Sequence, residues 1–355
     1  MANTGCDIYN LYMLLEGHGL PLYIPQPGTS HCDSCERQGV SIGDVGVVTS
    51  LGNFDRFFNI CLPAGHAMNP DVLPDGFYHL DLKPADFQVK SIYAHSSNSY
   101  IASPSVWRTG TTFLCSESEG AILIMPQGAY HEDLRRNIGI IRDYAATNLA
   151  SWYDYANIVH GLELGNSEIC LVIGCDKTSS WGIATYSHCQ SKHVENEVTN
   201  LSFNVKSEDH SLYPKYVWDA DGMAKDLKVG PEDIELLDPP EVHARMPLQN
   251  QCTFIRSLNL ALGDKEWKQH QLKVATSAKA QTPAQPTYKS SFTSVSGAIN
   301  SPSSNLSGDY GGQHFQGHST LGLSVAPTQV PLVYHPATPI ISMLLQKVTI
   351  AQCTN

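Results

Sequence analysis

The chain has 355 residues, of which only 16% are charged, and its 34 acidic against 22 basic side chains give a net charge of −12. Soluble domains usually carry roughly 25% charged residues, and an acidic chain this poor in Lys and Arg offers no broad surface to nucleic acid or to an anionic membrane. No stretch reaches the roughly 18 apolar residues of a spanning helix, and 42% apolar residues exclude a disordered chain.

Met1–Gly19 has neither a basic n-region nor an apolar h-region, so no signal peptide is expected. The ten cysteines, spread from Cys6 to Cys353 without a repeating spacing, are then expected to be reduced thiols in a cytoplasmic protein. Cys6 to Glu16 is predicted as a short helix stopped by Gly17 and Gly19, and the prolines of 21–28 predict extended coil. Ser41 to Asn59 predicts a strand pair around a turn at Ser50–Asn53. Phe87–Tyr93 alternates as a strand, and Ala121–Met125 is a continuous apolar run ended by Pro126. From His131 to Val159 the residues Leu134, Ile138, Ile141, Ala145, Leu149, Trp152, Ala156 and Val159 recur at steps of three and four, which predicts one long amphipathic helix. Strands follow at Ile169–Ile173, Trp181–Tyr186, Leu201–Val205 and Cys252–Leu262, with Gly174–Ser180 as a connecting loop. The expected fold is α+β, mainly antiparallel β-sheet in a sandwich-like arrangement with the long helix packed on it. Residues 1–275 are expected as a single globular domain. The Ser/Gly/Pro-rich stretch 276–330 has linker composition, and 331–355 regains an apolar pattern suited to docking back on the body.

The common catalytic signatures are absent: the sequence has no G-x-G-x-x-G, Walker A, H-E-x-x-H or G-x-S-x-G. Asp219-x-Asp221-Gly222 begins like a calcium loop, but its twelfth position is Gly230 rather than Glu, so a turn is expected. His31-Cys32-x-x-Cys35 holds the one C-x-x-C. Thiolates and imidazole suit Zn²⁺, with Cys61 and His66 able to complete a site if the fold brings them near; ordinary thiols in a loop are the plainer alternative. The fifteen histidines are otherwise scattered, including His188 and His193 beside Cys189, and surface positions are expected for most. The densest group of polar chemistry is Gly174-Cys175-Asp176-Lys177-Thr178-Ser179-Ser180-Trp181-Gly182, which offers an acid, a base, three hydroxyls and an indole. It reads either as a ligand-facing loop or as a tight structural loop with Trp181 in the core. Gly43-Asp44-Val45-Gly46 with Phe54-Asp55-x-Phe57-Phe58-Asn59 reads either as a polar floor beside aromatic walls or as a glycine-hinged hairpin.

These segments, together with Ala121–Pro126 and Val333-Tyr334-His335-Pro336, resemble in order a largely uncharacterised family of proteins from mushroom-forming fungi. The resemblance runs through most of residues 20–345 and carries over no catalytic residues. One branch of that family is an abundant soluble chromoprotein whose pigment is a small indolone, which implies an indolone-type chromophore as ligand. A flat heteroaromatic is held by stacking and by one or two hydrogen bonds. Trp181, Trp152, Tyr186 and Trp107 are the candidate stacking residues, and Asp176, Lys177 and Asp44 the candidate polar partners. The expected function is therefore non-enzymatic binding of a small flat aromatic molecule. The alternatives are a zinc- or thiol-dependent enzyme built on Cys32, Cys35 and neighbouring His31, and a fungal defence or carbohydrate-binding protein. The charge-poor surface also leaves room for a homo-oligomer.

Overall fold

The computed structural model describes residues 4–28, 37–187, 199–207, 214–231 and 247–281. In chain order its main elements are α1 (Gly5–Leu14), β1 (Leu20–Pro21), β2 (Asp44–Val48), β3 (Phe54–Asn59), β4 (Phe87–His95), β5 (Ser99–Ala102), β6 (Val106–Thr109), β7 (Thr112–Cys115), β8 (Glu119–Met125), β9 (Ala129–Leu134), α2 (Ile138–Asp154), β10 (Ile169–Thr178), β11 (Trp181–Ser187), β12 (Thr199–Ser207), β13 (Lys215–Asp221), β14 (Ala224–Gly230), β15 (Gln251–Leu260) and α3 (Asp264–Gln281). The fold is α+β and dominated by antiparallel sheet, as the sequence predicts.

The strands form three sheets. Two four-stranded sheets, β14-β11-β8-β5 and β13-β12-β7-β6, pack face to face. Strict alternation sends Ile122, Ile124, Ala184 and Tyr186 inward against Phe113, Leu201, Phe203 and Trp218. Gly182 is required at this interface, because a Cβ there would lie 2.3 Å from the Phe203 ring. The other face of the β8–β11 sheet carries Ala121, Leu123, Met125, Trp181 and Ile183, and α1 covers it with Ile8, Tyr9 and Met13. Thr4 caps α1 by a capping box with Asp7, which satisfies two amides that the helix start leaves open.

The third sheet has seven strands and is organised around β10. One edge of β10 pairs with β15 along its length. The opposite edge is divided: Cys170 and Leu171 pair with β2, whereas Gly174 to Lys177 pair with β9. Helix α2 lies on this sheet, its Ile141, Ala145, Leu149 and Trp152 packed on Val45, Phe58, Ile169 and Leu171.

Three sequence expectations change. The long helix does not begin at His131. Residues 129–134 form strand β9, Asn137 takes a left-handed φ of 62°, and α2 starts at Ile138. The period of three to four extended into the strand because Leu134, the last residue of β9, is buried in the same core as the helix face. At the other end the helix closes with a π-helical turn, Tyr155–Val159, and Val159 is exposed. Second, Gly174–Thr178 is not a loop. It continues β10, and only Ser179 and Ser180 remain between β10 and β11. Third, Asp219 to Asp221 are not a turn: they end β13 and pair with β12, and the chain bends only at Gly222, φ 120°, where it passes from one four-stranded sheet to the other. Helix α3 carries regular structure to Gln281; the rest of the 276–330 segment, and 331–355, lie outside the described residues.

Candidate functional site

The divided edge of β10 builds the most concentrated polar chemistry of the molecule. Along β10, Gly174 and Asp176 share one face. Their partners in register are Asp133 and His131 on β9, with Arg256 and Phe254 on β15. Six positions from three strands thus converge, which is why a carboxylate as deeply buried as Asp176 is tolerated: a buried charge needs paired charge and hydrogen bonds. Arg256 supplies them with its planar fork. Its Nε donates to Asp133 Oδ1 at 2.5 Å and its Nη1 to Asp176 Oδ1 at 3.0 Å, while Nη1 and Nη2 also reach the carbonyls of His18 and Glu132. His131 bridges the same two acids, Nδ1 to Asp176 Oδ1 at 2.7 Å and Nε2 to Asp133 Oδ2 at 2.5 Å.

Gly174 makes this packing possible. A Cβ at that position would stand 2.1 Å from Asp133 Oδ1, 2.7 Å from Arg256 Nε and 2.9 Å from the Glu132 carbonyl. The ladder of β10 with β15 shifts register between Val172 and Gly174 and again between Asp176 and Lys177. Bulges of this kind re-aim side chains, and here two of them bracket the cluster.

One side of Asp176 is thereby saturated and the other is not. Oδ2 and the facing His95 Nε2 are 3.6 Å apart. Both atoms are buried, and neither has a hydrogen-bond partner among the described residues. His18 completes the group: one donor atom each from His18, His95 and Asp176 lie within 4.8 Å of one another. The His18 ring stands edge-on to His95 at 5.0 Å and tilted against Phe254 at 5.3 Å, so aromatic rings flank the three donors. Burial pushes the Asp176 carboxyl up, but the approach of His95 and the charges of Arg256 and His131 more than reverse it, leaving it below its ordinary value. Burial, then the neighbouring His95, lowers the His18 imidazole.

The sequence-predicted residues fall in several places. Asp176 is the centre of the cluster. Lys177 is also buried but engages elsewhere, with Nζ donating to the Gln38 carbonyl at 3.0 Å. Asp44 anchors the β2–β3 hairpin, accepting from Ser41 N at 2.7 Å and from Asn59 Nδ2 at 2.8 Å, and it lines a cleft with Leu22, Phe54 and Arg56. Trp181 packs under α1 with Nε1 donating to Gln251 Oε1 at 3.0 Å. Trp152 is in the α2 core, and Tyr186 lies between the two four-stranded sheets. Trp181 and Tyr186 therefore point to opposite faces of one sheet, and the three rings do not line a common opening. Trp107 is 68% exposed on β6. His31, Cys32 and Cys35 lie outside the described residues, as do His188, Cys189 and His193. Burial, with the nearby Asp44, pushes the Cys61 thiol up to about 12, which disfavours the thiolate a metal or a nucleophile needs. The six described cysteines are free thiols.

Sequence reasoning missed His18, His95, His131, Asp133 and Arg256. A second histidine, His270 on α3, is buried and fully bonded: Nδ1 meets Asp154 Oδ1 at 2.8 Å and Nε2 meets Asn157 Nδ2 at 3.0 Å. It fastens α3 to the π-turn and offers no free atom.

Fold and site together define a three-sheet α+β protein with a buried acid–guanidinium–imidazole cluster that keeps free donor atoms on one side. Comparison of the chain with protein-family models, with curated proteins and with solved structures finds no match. No helix among the described residues is long and apolar enough to cross a membrane.

Proposed function

We propose that this protein binds a small ligand at the opening formed by His18, His95 and Asp176, and that it does so as a binding protein rather than through a nucleophile of its own. One observation carries the reading: Asp176 Oδ2 and His95 Nε2 are both buried and face each other at 3.6 Å, close enough to pair as ions but without a hydrogen bond from any described residue. Leaving a buried polar atom unpaired costs roughly 1–3 kcal/mol. A fold that holds two of them face to face is accounted for by a group brought in from outside. The ligand class is a flat aromatic molecule with an N–H or a heteroatom at its edge, of which an indolone-type chromophore is one example. Such a molecule would stack on the His18 ring and offer an edge heteroatom to the His95–Asp176 pair, directly or through a group held between them. The candidates of the sequence pattern shift accordingly: stacking passes from Trp181, Trp152 and Tyr186 to His18, while Asp176 keeps its part.

The test is the absorption spectrum and native mass of protein purified from its source. A band beyond that of Trp and Tyr, with one equivalent of added mass lost in His18→Ala, is the expected result. A bare chain mass with no further absorption overturns the reading.

A further inference from the structure

We infer that His18, His95 and Asp176 form a binding site for one divalent first-row transition cation. This rests on the reading that the Asp176 opening receives an outside group, and it names what sits at the bottom of it.

The donor set is the first argument. Two imidazoles and one carboxylate suit Zn²⁺ and its neighbours, whereas Mg²⁺ and Ca²⁺ take oxygen ligands. The size of the opening is the second. Donors within 4.8 Å of one another leave room between them for a single atom and not for a ring. Two ligands each about 2.1 Å from a tetrahedral zinc stand roughly 3.4 Å apart, and His95 Nε2 and Asp176 Oδ2 are 3.6 Å apart. The His18 carbonyl is held by Arg256 Nη1, so a rotation of the His18 side chain, with the backbone fixed, closes the remaining distance.

The surroundings of the carboxylate are the third argument. Arg256 and His131 both bond Asp176 Oδ1, which leaves Oδ2 as the one oxygen for a cation and fixes its direction. Ligands oriented by an outer set of hydrogen bonds are the usual construction of a metal centre. Arg256 and His131 are in turn held by Asp133, so the outer charges offset one another. Three protein ligands would leave at least one coordination position for a water or a heteroatom of the small ligand.

The experiment uses the full chain stripped by a chelator and titrated with Zn²⁺ by calorimetry, with the bound metal counted by elemental analysis. One zinc per chain is expected, with affinity lowered at least tenfold in His18→Ala and in His95→Ala and unchanged in Cys32→Ser/Cys35→Ser. Asp176→Asn is set aside as the primary variant because it disturbs the folded cluster, whereas His18 is at the rim. No zinc uptake by the wild type, or uptake that survives both histidine changes and disappears with the two cysteines, overturns the inference. The small ligand is followed in the same samples. Ligand retained at full occupancy after chelation overturns the metal and upholds the binding reading. Zinc bound through the histidines with no small ligand in native protein upholds the metal and overturns that reading.

Discussion

Gly174→Ala tests whether the cluster on β10 is as tightly interlocked as its distances say. The added Cβ would fall 2.1 Å from Asp133 Oδ1, 2.7 Å from Arg256 Nε and 2.9 Å from the Glu132 carbonyl. Asp133 can turn away, but then its 2.5 Å bond to Arg256 is lost, and the Glu132 carbonyl is backbone and moves only with β9. Overpacking of this kind costs about 1–3 kcal/mol. The Arg256–Asp133 pair is 21% and 30% exposed at its two ends, so its loss lies between the roughly 0–1 kcal/mol of a surface pair and the roughly 3–5 kcal/mol of breaking a buried one. The total expected is about 3 kcal/mol, or a fall in melting temperature of roughly 6–12 °C for a domain of this size. Urea denaturation of the variant measures it. Gly65→Ala, where a new Cβ meets nothing within 4 Å, is the control and should stay within about 0.5 kcal/mol. If the clash with Asp133 is the cause, Gly174→Ala combined with Asp133→Ala costs less than the sum of the two. A loss under about 1 kcal/mol for Gly174→Ala alone, or strict additivity of the pair, would refute the reasoning.

Four further outcomes are expected. Asp176 has a folded pKa below its ordinary 3.8, so its stabilisation is complete above the unfolded value and is lost as pH falls through the folded one; stability measured across the acid range should show this loss in the wild type and lack it in Asp176→Asn. Trp181→Phe leaves the buried Gln251 Oε1 without its donor and should cost roughly 1–3 kcal/mol, whereas Trp107→Ala at an exposed site should cost less than about 0.5 kcal/mol; equal costs would contradict the burial that separates them. His270→Leu should cost about 2 kcal/mol and speed amide exchange across 264–281, and unchanged exchange there would show that α3 docks without this histidine. Burial pushes the thiols of Cys61 and Cys115 up to about 12, so alkylation at about pH 8 should label both only on unfolding, as peptide mapping would record.

What the sequence made legible was what local pattern decides. The hairpin β2–β3, the buried run Trp181–Tyr186 and the helix face Ile141–Ala145–Leu149–Trp152 each follow from a pattern within one segment. What it hid depended on partners far along the chain. Gly174–Thr178 read as a loop because Gly, Asp and Lys are poor strand formers, yet Asp176 is paired with residues 45 and 80 positions away. His131 and Asp133 were absorbed into a helical period, although their spacing of two is that of a strand face. The indole of Trp181 could be weighed as a plate or as core; the decision lay with Gln251, 70 residues on.

The position of the site follows from the topology. Flanked by apolar strands alone, β10 could not hold a buried Asp176. β10 avoids this because β2 leaves its edge after Leu171 and β9 takes that edge from Gly174 onward. The hand-over coincides with the first register shift. β9 arrives with His131 and Asp133 on the face of Asp176, and on the other side β15 presents Arg256. The same arrangement brings in the two remaining histidines from the margins: His95 ends β4, the strand that pairs with β9, and His18 precedes β1, the strand that pairs with β15. Each of the three free donors thus reaches the opening from a different segment. A group bound there would tie the connection after α1, the end of β4 and the middle of β10 to one point, and binding to the folded state alone would raise stability by about 2.7 kcal/mol at a hundredfold excess over its Kd.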